Sequence, residues 1–475
     1  MRTVPVIAVL TAVLLPGRVF AESSRSGTNE RPPNVIVVFC DDMGYADIGP
    51  FGAKGDKTPN LDRMAREGMK FTSFVVARSV CSPSRAALLT GCYPLRVGVP
   101  GNFGPGSRTG LHPDEMTLAE LVKQRSYATA MLGKWHLGHR PKFLPVAQGF
   151  DEWYGLPYSH DMWPYHPEQG VRYRFPDLPL MEGTKVVNPR MQPKDVSRLT
   201  TQYTKRAVAF IKRSHKRPFL LYLAHAMPHV PLFVSKRHAG KTKRGLYGDV
   251  ISEIDWSMGR ILDTLRALKI DKQTLVIFTS DNGPWLLYGD HAGSARPLRE
   301  GKGTPFEGGY RVPCVMWWPG KIPADSVCSE LASTIDILPT VAHLTGARLP
   351  KRKIDGKNIW PLMAGRKGAR SPHDAFYYYS GLRLSGIRSG RWKLMFAQTF
   401  GKPDPPGKNG KPGRRTRGRI PLSLFDLEAD VGERKNVADK HPTVVKRLQQ
   451  LAKHMRDRLG DGRTRKGTER RPVGR

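Results

Sequence analysis

The sequence predicts an α/β protein: a large, mostly parallel sheet domain followed by a small α+β domain with an antiparallel sheet. Three observations predict it. Unbroken β-branched apolar runs alternate with longer segments of helical period from Arg31 onward, the pattern of a buried parallel sheet covered by helices. Those runs end in polar clusters, and ligands gather at the carboxyl ends of strands in open α/β sheets. Beyond Ser371 the texture changes to short aromatic strands and a Pro/Gly/basic stretch, which reads as a second sheet of different construction.

Taken in order, the first 21 residues have a charged start, an apolar run from Val4 to Leu15, and small residues before a cut after Ala21. They read as a signal peptide, too short to span a bilayer, of an exported protein: periplasmic or secreted, with no transmembrane segment. Residues 31–370 read as the large domain. Its strands are expected at Val35–Phe39, Ala128–Leu132, Phe219–Leu223 and Leu275–Thr279. Thr117 and Glu120 have capping-box spacing ahead of a helix. Ile251, Ile254, Met258, Ile261 and Leu265 mark one apolar helix face. In residues 371–460, strands are expected at Phe376–Tyr379 and Arg391–Phe396, a basic loop at Gly401–Arg419, and a helix over Pro442–Arg458. Residues 461–475 read as a basic disordered tail.

The 475 residues carry 77 Lys+Arg against 41 Asp+Glu, a formal charge of +36, with 39% hydrophobic residues. That apolar content supports a folded body and excludes a chain disordered throughout. Five cysteines are too few for a disulfide scaffold, although Cys314 and Cys328 could pair in an oxidising compartment. Cys40 reads as a buried strand residue, Cys92 as a packing or loop residue, and His343 as an ordinary helix residue. The charge implies an anionic partner: nucleic acid, acidic lipid or a polyanionic substrate.

The strand ends carry the chemistry. Asp41-Asp42 follow the first strand and Asp281-Asn282 the last, a hard all-oxygen set suited to Ca²⁺ or Mg²⁺. Lys134 and His136 follow the second, and His225 and His229 the third; such cations around a metal suit a tetrahedral oxyanion ester. Ser79–Gly91 places Cys81 in a Pro-containing turn four residues before Arg85, which by itself suggests a thiolate nucleophile.

This last stretch resembles the sulfatase signature C-x-P-S-R-x-x-x-x-T-G at every position, and Ser126–His136 resembles the second signature of that family, with Ser126 at its usual leading Gly. The resemblance continues through Asp41-Asp42, Gly155–His160, Pro228–Pro231, Asp281–Gly283, Gly301–Gly309 and the Leu424–Leu427 segment with Glu433 and Asn436. Among family members it is most similar to arylsulfatase A-like enzymes, so it implies an alkaline-phosphatase-like sulfatase fold.

For the chemistry, the resemblance implies that Cys81 is oxidised by a formylglycine-generating enzyme to formylglycine (3-oxoalanine). With Asp41, Asp42, Asp281 and Asn282 that residue would hold one Ca²⁺. Its hydrate would attack sulfur with help from Arg85. Lys302 and His229 would neutralise the sulfate and protonate the departing oxygen, Lys134 would contact the sulfate, and Ser159 would line the pocket. His136 would deprotonate the second hydroxyl so that sulfate leaves, a release that an ordinary Ser or Cys ester could not make.

The expected activity is hydrolysis of a sulfate monoester on a sulfated glycan or aryl group. A phosphomonoester or phosphonate hydrolase is the alternative within the superfamily, and a non-enzymatic polyanion-binding protein is the alternative outside it. Lys236, Arg237, Lys241, Lys243 and Arg244 follow His229 and are expected to border the pocket and capture a polyanionic glycan. An exported chain with such a pocket points away from nucleic acid.

Overall fold

The computed structural model describes residue 1 and residues 31–475, apart from 56, 463 and 464. The signal-peptide reading therefore lies outside the described residues. Five parallel strands form the centre of a ten-stranded sheet, in the order Thr274–Ser280, Asn34–Cys40, Phe219–Ala224, Ala128–Gly133, Glu152–Gly155. Antiparallel neighbours extend it: Val315–Trp317 beyond the first of these and Leu180–Glu182 beyond the last. Alternation along Asn34–Cys40 shows why both faces are covered. Val35, Val37 and Phe39 join one apolar cluster, with helices Cys81–Thr90 and Ile337–Thr345. Ile36, Val38 and Cys40 join another, with Leu199–Ser214 and Leu246–Ala267. Burying a strand on both faces requires the unbroken apolar run seen in the sequence.

The expected elements appear with small shifts at their ends. Thr117 Oγ1 accepts from the Glu120 amide at 3.2 Å while Glu120 Oε2 accepts from the Thr117 amide at 2.7 Å, completing the capping box. In the C-terminal part, Phe376–Ser380, Arg383–Ser389, Trp392–Met395 and Ser423–Asp426 form a four-stranded antiparallel sheet, and the last long helix spans Pro442–Leu459. Phe376, Tyr378 and Leu448 share an apolar cluster with Ala86 and Leu88. Residues 32–475 thus form one compact unit, and the antiparallel sheet that begins at Phe376 lies within it.

Two expectations about the fold are corrected. The basic segment expected as a loop over 401–419 is largely a β-ribbon, Gln398–Pro403 paired with Arg415–Ile420. The terminal segment read as a disordered tail is docked: Arg471 donates to both carboxylate oxygens of Glu115 at 2.7 Å, and its amide donates to the Arg96 carbonyl at 2.7 Å. Glu469 is paired with Arg96, Lys353 and Arg458, so composition concealed specific partners.

Cys314 and Cys328, which could have paired, are free, buried thiols. The sheet register explains why they do not pair. Cys328 lies opposite Phe71 on one side, and the Phe71 amide donates to the Cys314 carbonyl on the other. Two strand spacings, about 9.5 Å, separate them, beyond the Cα reach of a disulfide.

Ser126, in the place of the second signature's usual Gly, has φ +58°. A side chain in the left-handed region costs about 1–2 kcal/mol, partly offset by the entropy a glycine adds to the unfolded chain. Ser126→Gly is expected to stabilise the protein by about 0.5–1 kcal/mol. A urea titration checks this; an unchanged or lower midpoint would show that the serine is unstrained.

Candidate active site

Each central strand delivers its polar cluster to the same edge of the sheet. The register places Cys40 beside Ser280 and Gly133 beside Ala224, so Asp41-Asp42, Asp281-Asn282, Lys134 and the 225–229 segment emerge together. At Gly133 the backbone approach is close enough that a Cβ would lie 1.8 Å from the Ala224 carbonyl oxygen. Asp42 and His136 adopt φ +65° and +61°, a left-handed geometry that non-glycine residues keep when surrounding structure enforces it, often at functional sites.

Cys81 is the first residue of the helix Cys81–Thr90 and is 1% exposed. Its Sγ lies 3.5 Å from Asp41 Oδ1. Burial pushes the thiol well above its ordinary range despite Lys134 and Lys302 nearby, so the unmodified side chain is a thiol and not the thiolate that nucleophilic sulfur chemistry needs.

Arg85 donates through Nε and Nη2 to Asp281 Oδ2 at 3.1 and 2.7 Å, and through Nη1 to the Lys134 carbonyl at 2.9 Å. Lys134 Nζ sits 2.5 Å from Asp41 Oδ2 and 3.0 Å from Ser159 Oγ. Lys302 Nζ lies 2.7 and 2.8 Å from the two oxygens of Asp42. His229 donates from Nδ1 to the Val230 carbonyl at 2.5 Å, and its Nε2 is 3.5 Å from Asp42 Oδ2.

The charges are strongly coupled. Burial alone would raise the Asp41 carboxyl, but Lys134, His229, Arg85 and Lys302 hold it well below its usual range. Asp281 is pushed up to about 7 by burial and by Asp41, against the pull of Arg85. Burial, Lys134 and Arg85 hold His136 well below the ordinary imidazole range, and neither of its ring nitrogens has a hydrogen-bond partner.

The oxygen donors of Asp41, Asp42 and Asn282 fit a hard cation. Asp41, Asp42, Cys81 and His229 bring ligand atoms within 4.8 Å of one another, and Asn282 Oδ1 is buried without a partner. A buried amide oxygen left unpaired beside two carboxylates is the environment that Ca²⁺ or Mg²⁺ satisfies.

A cavity of about 340 Å³ opens onto this cluster and is lined by Cys81, His136, Ser159, His229 and Lys302. Of the candidate site residues, Asp41, Asp42, Arg85, Lys134, Asp281 and Asn282 do not line it but lie buried behind the lining, each 3% exposed or less, with Asp41 against Cys81, Lys134 against Ser159 and Asp42 against Lys302. His225 is elsewhere: its Nε2 is 3.3 Å from Ser257 Oγ in the core. The expected basic rim is also elsewhere. None of the five residues in 236–244 lines the cavity; Arg237 rests over Trp256, and Arg244 pairs with Asp47 at 3.0 Å.

Sequence reasoning missed Trp285, Asp161, Lys402 and Arg415, all of which line the cavity. Trp285 follows Asp281-Asn282 by only a few residues, a proximity that could have marked it. The alternation Arg415-x-Arg417-x-Arg419 was a legible strand signal inside a segment that otherwise reads as loop.

Comparison with known proteins agrees with this geometry. A family model described as Sulfatase matches residues 33–347, and one described as the C-terminal region of aryl-sulfatase matches 371–471. Arylsulfatase A of Homo sapiens is 39% identical over 450 residues, covering 89% of this chain and 87% of that one. N-acetylgalactosamine-6-sulfatase of Canis lupus familiaris is 39% identical over 434 residues, with 85% and 81% covered. Among solved structures, Ps i-CgsB in complex with k-i-k-neocarrahexaose superposes with a TM-score of 0.75 at 30% identity, over 92% of this chain and 96% of that one. PsFucS1 sulfatase from Pseudoalteromonas sp. gives 0.80 at 27% identity, with 90% of each chain covered. With its signature residues assembled on one sheet edge and the likeness running through both sheets, the chain belongs to the sulfatase family, hydrolases of sulfate esters.

Proposed function

We propose that the protein removes sulfate from a sulfated glycan, using formylglycine made from Cys81 and one Ca²⁺ held by Asp41, Asp42, Asp281, Asn282 and residue 81. The observation that carries this reading is the buried Cys81 Sγ, 3.5 Å from Asp41 Oδ1 and within 4.8 Å of ligand atoms of Asp42 and His229. Sulfur is a poor ligand for a hard cation, whereas the hydrated aldehyde of residue 81 offers oxygen. Maturation then requires a formylglycine-generating enzyme, and the apolar N-terminal run supports export. Among the described residues no helix is long and apolar enough to cross a membrane.

Held by Asp41, Asp42, Asp281 and Asn282, a cation would lower the proton affinity of a hydrated aldehyde at residue 81, whose hydroxyl would be the nucleophile toward sulfur. The chain's own side chains do the rest. Lys134 and Lys302 place two positive charges beside the cavity and offset the sulfate oxygens. Arg85, fixed by Asp281 and the Lys134 carbonyl, holds the acidic cluster in register. His229, oriented by Val230, passes a proton from Nε2 to the departing alcohol oxygen. His136, with both nitrogens unpartnered, accepts the proton whose removal releases sulfate.

A phosphomonoester or phosphonate is the competing substrate class. An aryl sulfate should exceed the matching aryl phosphate in kcat/KM by at least about 100-fold; a phosphate preference would transfer the site to that class. Removing divalent cations with a chelator should abolish turnover and Ca²⁺ should restore it, whereas chelator-resistant turnover would exclude a metal requirement.

A further inference from the structure

The chain's excess positive charge has one organised outlet beside the cavity. In the ribbon Gln398–Pro403/Arg415–Ile420, Thr399 pairs with Arg419, Gly401 with Arg417 and Pro403 with Arg415. Alternate residues of a strand share a face, so the three arginines project from one side about 7 Å apart. All three are exposed, and among the described residues no carboxylate forms an ion pair with any of them.

The ribbon is held rigidly. On its other face Phe400 and Ile420 join an apolar cluster with Phe306, Met395 and Phe425. Beyond the paired strands, the amides of Gly407 and Gly413 both donate to the Leu287 carbonyl at 2.9 and 2.8 Å, and the Asn409 amide donates to Asp290 at 2.9 Å. The inner end meets the reaction site. Arg415 lines the cavity and lies 5.9 Å from the Trp285 ring, on which Lys302 also rests at 4.5 Å. Opposite Arg417 stands Gly401, where a Cβ would meet no atom within 4 Å, so the space above the middle arginine is open.

We infer that Arg415, Arg417 and Arg419 form an anion track leading out of the cavity, which holds uncleaved sulfate groups of a polysulfated glycan while the ester at its inner end is hydrolysed. This rests on the reading of the protein as a glycan sulfate-ester hydrolase. Planar guanidinium forks suit the paired oxygens of a sulfate group, and a preformed rigid row lowers the entropy lost on binding. A glycan carrying several sulfates is thereby favoured over a singly sulfated one.

The test measures binding separately from turnover. Fluorescence anisotropy with a fluorescein-labelled, fully sulfated cello-hexasaccharide is recorded for the full chain and for Arg417→Ser/Arg419→Ser across a series of salt concentrations. The double variant should raise Kd at least about tenfold and lower the slope of log Kd against log salt by about 1.5. Arg417→Lys/Arg419→Lys, which keeps the charge, should retain most of the slope. Equal Kd and slope in wild type and the serine variant would overturn the track. If wild type instead cleaves an aryl sulfate and leaves sulfate on every glycan, the glycan-hydrolase reading fails by a different readout, while the binding result still decides the track.

Discussion

Cys81→Ser is expected to fold with the stability of the wild type and to lose at least about 10⁴-fold in kcat/KM on any sulfate ester. The side chain is 1% exposed and near-isosteric with serine, and the hydroxyl of the variant can donate to Asp41 as the thiol does at 3.5 Å. Packing and the charge cluster therefore stay intact. In the proposed mechanism, what disappears is the second hydroxyl of an aldehyde hydrate. A serine can at most accept the sulfo group once, and no proton then remains for His136 to remove so that sulfate leaves. Intact-mass measurement after incubation with substrate should show a stable sulfated adduct or unreacted protein. Turnover near the wild-type rate would remove the aldehyde from the mechanism.

Lys393→Met is expected to destabilise the protein by about 3–5 kcal/mol. Lys393 is fully buried on the Trp392–Met395 strand, and its Nζ lies 2.9 Å from each of Glu307 Oε1, Glu433 Oε1 and the Pro305 carbonyl. Without it two buried carboxylates lose their central cation. Burial would raise Glu307, but Lys393, Arg388 and Arg311 hold it down to about 2, so Glu307 keeps the charge. Glu433 is pushed up to about 7 by burial and Glu307, against Lys393. A carboxyl whose folded pKa is raised binds more protons in the folded state, so stability falls as pH rises from about 4.5 to about 7. Glu433→Gln should flatten that decline, and urea midpoints across the range check it. The cluster also fixes the loop that carries Lys302, because Pro305 accepts from Lys393; kcat of Lys393→Met should therefore drop even where the protein remains folded. An unchanged urea midpoint would show that the two carboxylates find other partners.

Much of this architecture was legible because it follows from local rules. Val35–Phe39 is apolar without interruption because both faces of its strand are covered, and Asp41-Asp42 follow because the carboxyl edge of a parallel sheet is where polar groups can converge. The first signature, with Cys81 and Arg85 four residues apart, placed both on one helix, and the structure brings Arg85 to Asp281 across 196 positions of sequence. Long-range features were illegible for the same reason. Lys393, Glu307 and Glu433 form one buried group through tertiary packing alone, and nothing near Lys393 in the chain announces it. The ribbon at 398–420 was hidden by its Pro/Gly-rich tip, which dominated the alternating arginines behind it. Charge density along the chain misled at 236–244, where Arg237 and Arg244 serve stacking and pairing within the body, and at the terminus, where Arg471 is held by Glu115.

In the proposed mechanism residue 81 works as an aldehyde and not as a thiol. Mass spectrometry of the tryptic peptide containing Cys81, from protein made in its native host and treated with a hydrazine reagent, decides between the two. The expected peptide lacks the thiol and carries a hydrazone at position 81, in a fraction that tracks specific activity across preparations. A fully active protein whose Cys81 is wholly an unmodified thiol would refute the aldehyde mechanism.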